Sequence, residues 1–151
     1  MGVIKSASGS SVWRGLDYYK HNKVISYKRI NDNEYIGKIR GSNNKDYDVI
    51  MNTEHPRSSK CNCPHAKDRR IVCKHIVALY FTVFPKEAKK FEEDARKAEE
   101  EYEKYQEQLY DNVKRRIYSM TKGQLQEALL DVLNLSPEWV YERFVRDYIE
   151  R

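Results

Sequence analysis

Soft metal ligands are almost absent from this chain: outside residues 60 to 75, 135 residues hold no cysteine and only two histidines, His21 and His55. Long apolar runs are missing as well. None approaches the roughly 20 residues needed to cross a bilayer, and the N-terminus lacks the apolar stretch of a signal peptide. No glycine-rich loop is present to cradle phosphate, and no nucleophile is paired with a base. Asp46 and Asp48 have no histidine or second acidic motif beside them to hold a divalent cation. These absences argue against a membrane partner, a small-molecule substrate and an enzyme. The cysteines number three, an odd count at spacings of two and ten, which fits metal ligation better than a secreted disulfide framework. A soluble, cytoplasmic protein in a reducing compartment is the expectation.

What is present divides the chain in two. At 151 residues and 40% hydrophobic, it is long enough for one ordinary domain or two very small ones, the smaller needing a staple. Residues 1 to 85 carry 15 Lys and Arg against 7 Asp and Glu, whereas residues 86 to 151 carry 13 against 16. The basic part points to an anionic partner such as nucleic acid. The near-neutral remainder points to self-association or a protein partner through residues 86–151.

Period and punctuation set the organisation. Residues 1 to 11, with Gly2 and the small polar run from Ser6 to Ser11, read as a flexible terminus; the myristoylation-like pattern from Met1 to Ser6 is too loose to outweigh that. Trp13, Leu16 and Tyr19 stand at helical spacing and predict one or two helical turns. From Lys23 to Asn52, three segments rich in Val, Ile and Tyr are separated by Asn31-Asp32-Asn33 and Gly41-Ser42-Asn43-Asn44, which predicts an antiparallel meander. Alternation places Tyr35 and Ile39 on one face of the second strand with Lys38 and Arg40 opposite, and Tyr47, Val49 and Met51 on one face of the third.

Beyond the cysteines the texture becomes helical. The segment "CKHIVALYFTVF" is apolar nearly all round and predicts a buried helix ending at Pro85. Phe84, Ala88, Phe91, Ala95, Ala98, Tyr102, Tyr105 and Leu109 follow a 4-3 spacing, and Val113 and Ile117 continue the stripe, a heptad seam on a coiled-coil-like helix over 86–118. Thr121 and Gln124 form a capping box, and Ser136-Pro137-Glu138 opens a further helix, so 119–151 is expected to hold two helices. Their expected place is folded back onto the seam.

The sequence "KCNCPHAKDRRIVCKH" then decides the chemistry. Cys61 and Cys63 lie on a short extended segment, nine residues loop out, and Cys73 and His75 return at the mouth of the apolar helix. Four such ligands match one tetrahedral Zn2+ and leave no position for an activated water, so the expected cofactor is structural. The helix N-terminus favours the thiolate of Cys73. His65 competes for the fourth place, but Cys61, Cys63 and His65 are alternate residues that an extended strand does not easily converge on one ion. His75 is preferred.

Cys61, Cys63, Cys73, His75 and Ala78 match the Cys-x-Cys, Cys-x-His-x-x-Ala pattern of the SWIM zinc fingers, and the chain resembles that family over residues 12 to about 82, most closely its small stand-alone bacterial and archaeal members. The resemblance implies a zinc domain over 12–85 that binds DNA or proteins, as in transposases, helicase-associated proteins and partners of recombinase paralogues. The expected fold is α+β, a small antiparallel sheet with a zinc-stapled ββα-like finger followed by an all-helical C-terminal extension. Lys67, Arg69, Arg70 and Lys74 in the metal loop, with Lys28, Arg29, Lys38 and Arg40 on the strands, are the candidate phosphate contacts of a DNA-binding protein acting in recombination, repair or transcription, nucleoid-associated in a bacterium or archaeon. The alternative is an adaptor that binds a recombinase- or helicase-type protein without touching DNA.

Overall fold

The structure is a computed structural model that describes residues 2–42 and 44–150. Asn43 of the expected turn, like Met1 and Arg151, lies outside the described residues. The elements run α1 (Val3–Ser6), α2 (Gly9–Lys20), β1 (Val24–Arg29), β2 (Glu34–Arg40), β3 (Asp46–Asn52), a 3-10 turn (Pro56–Ser58), β4 (Lys60–Cys61), α3 (Lys74–Val83), α4 (Pro85–Ser119), α5 (Lys122–Leu135) and α6 (Glu138–Tyr148). The class is α+β, as expected from the sequence: a four-stranded antiparallel sheet in the order β1-β2-β3-β4, followed by a mostly helical C-terminal region.

The predicted meander is present, and its register sets the faces. Tyr35 pairs with Met51, Gly37 with Val49, and Ile39 with Tyr47, so these six share one face. On that face Ile39 and Met51 are fully buried, and Val49 nearly so. β4 adds a two-residue strand that extends the row, Val49 opposite Cys61. The helix predicted to be buried all round is α3, where Ile76, Val77, Ala78, Leu79 and Phe81 have no exposed surface. It is sandwiched between the sheet and α2. Two glycines permit the close approach: a Cβ on Gly37 would meet Leu79 at 2.9 Å, and one on Gly15 would meet Val77 at 2.5 Å.

Residues 1 to 11 depart from the flexible stretch expected. The turn α1 buries Val3 completely, and Ala7 bridges to Val72 beside the third cysteine. Ile4 and Ala7 pack against the same core, and together with Val3 they tie the segment down. Ser8 then caps α2, which is longer than the one or two turns expected. Asn22, at φ 51°, takes the left-handed conformation just beyond the end of α2, where asparagine is tolerated.

Two compact units divide within α4, the first ending at Arg96 and the second starting at Lys97. The boundary lies later than residue 85 because the first turns of α4 belong to the first core. Ala88 is buried, and Phe91 packs edge-on against Trp13 at 5.1 Å and close to Phe81 at 6.0 Å. In the second unit the capping box of Thr121 and Gln124 opens α5 as predicted, and Pro137 stands as the N-cap of α6, one place before the helical position expected for it. The seam is not covered as expected. α5 and α6 contact one another, while Tyr102, Tyr105, Leu109, Val113 and Ile117 stay 44 to 64% exposed. Among the described residues of this unit, only Leu133 is buried. No helix among the described residues is long and apolar enough to cross a membrane.

Candidate metal centre

Four side chains converge where the sheet meets α3. Cys61 ends β4, Cys63 follows it, Cys73 caps α3 and His75 stands in its first turn. All four are buried, and their ligand atoms lie within 4.8 Å of one another. The cysteines are free thiols. His75 Nδ1 is 3.7 Å from Cys61 Sγ and 3.9 Å from Cys73 Sγ. A tetrahedral ion with metal–sulfur bonds of about 2.3 Å and a metal–nitrogen bond of about 2.0 Å requires edges of about 3.5–3.8 Å. The residues therefore fit one metal ion, bound through three sulfurs and Nδ1.

The surroundings favour a pre-arranged site. The ring of Tyr47 stacks on His75, and Tyr18 meets it edge-on, with centroids 4.7 and 5.4 Å away. His75 Nε2 and the Tyr18 hydroxyl are buried without a hydrogen-bond partner among the described residues. With its outer nitrogen silent, the imidazole is oriented by ring packing and by the sulfurs. The thiols differ in acidity. The hydrogen bond from the Cys61 thiol, helped by that of His75, brings Cys73 down to about 4 against the opposing effect of burial. Cys61 is driven up, first by its hydrogen bond to Cys73 and then by burial, and burial also raises Cys63. Binding a metal therefore takes protons from the raised thiols, Cys61 and Cys63.

His65 lies outside this group and is exposed; it lines a recess next to Cys63, Cys73 and His75. Its position agrees with the geometric preference for His75.

The cations of the sequence fall into two classes. Arg29 pairs with Asp32, Arg40 with Asp46, and Lys38 reaches Asp48 at 3.9 Å. Lys74 sits 4.4 Å over the Tyr18 ring, held by a cation–π contact. By contrast, Lys67, Arg69 and Arg70 make no ion pair among the described residues, and they line a cavity of about 790 Å³. Arg57 and Lys60 line the same cavity. Asp68 is the one acidic side chain there, held in the left-handed region at φ 59° between Lys67 and Arg69. Sequence reading had passed over Arg57 and Lys60; the available signal was their place within four residues of Cys61. On the outer face of the sheet, Lys28 shares a row with Ile36, Ile50 and Lys60.

No protein-family model, no curated protein and no solved structure matches the chain.

Proposed function

We propose that this is a SWIM-type zinc protein, non-catalytic, that binds DNA through phosphate contacts from the loop its metal holds rigid. Three thiols and one imidazole at tetrahedral spacing favour zinc over the harder divalent cations, which take oxygen ligands. With four protein donors the ion is closed to substrate, so its contribution is to the fold. Ala78, fully buried in α3 three residues beyond His75, agrees with the small residue that the family pattern places there.

The observation that carries the DNA reading is the cavity whose rim holds Arg57, Lys60, Lys67, Arg69 and Arg70 with only Asp68 against them. A cation with no carboxylate to satisfy it keeps its full attraction for phosphate, and a backbone fixed by a metal loses little entropy when the ligand arrives. The apolar helix α3 is buried and offers no base-reading face, so affinity without strong sequence preference is the consequence. A role in recombination, repair or transcription is what the resemblance to the SWIM zinc fingers adds to this reading.

Fluorescence anisotropy with labelled DNA across a salt series tests this. Neutralisation of about three to four phosphates gives a slope of log affinity against log salt near −3. Arg69→Glu with Arg70→Glu flattens the slope and weakens all sequences alike while metal content stays the same. No binding by the wild type at low salt, or equal binding by the double variant, refutes the reading.

A further inference from the structure

The second unit has too little core to stand alone. Of the large apolar side chains exposed in the described chain, sixteen of 22 lie between Tyr102 and Ile149, against the single buried Leu133. Such a surface is the signature of a missing partner. Its most regular part is the stripe of α4 formed by Tyr102, Tyr105, Leu109, Val113 and Ile117. The stripe runs for about 22 Å at 1.5 Å per residue, long enough for an interhelical seam.

We infer that this stripe pairs with the same stripe of a second copy of the chain, antiparallel, with the two Leu109 side chains facing each other at the centre. Charge selects both the occupant and the direction. Glu99, Glu100, Glu101, Glu103 and Glu107 precede Leu109, with Lys104 the one cation among them, whereas Lys114, Arg115 and Arg116 follow it, with Asp111 the one acid among them. A parallel, in-register pair sets the glutamates of one helix beside those of the other. An antiparallel pair centred on Leu109 sets each net-acidic segment against a net-basic one and brings Glu101 beside Arg115, which lies on the same edge of the stripe. Shape agrees with charge: in that register Tyr105 faces Val113, and Tyr102 reaches Ile117, so a large ring meets a smaller branched chain at each step. The half-exposed tyrosines add broad apolar area at low entropic cost.

Sedimentation equilibrium of the full metal-loaded chain tests this. The expected species is a dimer of twice 18.0 kDa that dissociates on dilution. Leu109→Glu should weaken the association by at least about a hundredfold, since it places two carboxylates at the apolar centre. Direction is read from charge reversal: Glu101→Arg and Arg115→Glu each weaken the dimer severalfold, and the two together restore it, with helical circular dichroism unchanged throughout. A monomer at every accessible concentration would assign the stripe to a different protein and overturn the inference. Persistence of the dimer in Leu109→Glu overturns the seam, and failure of the double reversal to restore association overturns the antiparallel arrangement.

Discussion

The ring of Tyr47 stacks on the imidazole of His75, centroids 4.7 Å apart and planes inclined by 28°. Tyr47 stands at the start of β3, and Val49 two residues on pairs with Cys61, so the sheet supports the metal ligands from two directions. Metal centre and sheet face form a single core.

Tyr47→Ala should therefore weaken metal binding by about ten- to a hundredfold, the usual effect of removing a group that orients a ligand. Tyr47→Phe should retain the affinity, because stacking uses the ring and not the hydroxyl. Competition with a chromophoric chelator measures both. Equal affinities for the alanine and wild-type proteins would show that the sulfurs alone orient His75.

Metal binding should release about two protons at neutral pH, because the hydrogen bond to Cys73 raises Cys61 and burial raises Cys63, whereas the hydrogen bonds from Cys61 and His75 lower Cys73. The sign follows from competition. Protons and metal contend for the two raised thiols, so apparent affinity rises with pH through the neutral range and falls as pH drops, by about a hundredfold per unit for two protons. Calorimetric titration in buffers of different ionisation enthalpy counts the protons. Release of none would mean that all three sulfurs are thiolates in the metal-free protein.

The sheet faces were legible in the sequence because alternation is strict where one face is buried: Tyr35, Ile39, Val49 and Met51 stand where period two puts them. The four ligands were legible from spacing alone, since soft donors occur almost nowhere else in the chain. Val3 was hidden, because an isolated apolar pair, Val3 and Ile4, carries no periodic signal. The cover of the α4 seam was hidden for a different reason: apolar spacing shows that a helix face wants a partner, not which surface supplies it. Pairing of Lys38 and Arg40 with carboxylates was also out of reach, since Asp48 and Asp46 meet them only through strand register.

That pairing separates cations that composition treats alike. Arg40 and Lys38 already have carboxylates beside them, so they offer less to a phosphate than Arg57 and Lys60, which have none. Arg57→Ala and Lys60→Ala should each lower affinity for DNA by about three- to tenfold at moderate salt and reduce the salt slope by about one. Lys38→Ala and Arg40→Ala should leave the slope unchanged and alter affinity less, since the lost cation was spent on Asp48 or Asp46. All four side chains project from the surface, so melting temperature should move little. Salt-dependent anisotropy on the four variants decides the matter: a larger loss from Lys38→Ala or Arg40→Ala than from Arg57→Ala or Lys60→Ala would move the phosphate contacts from the metal loop to the sheet face.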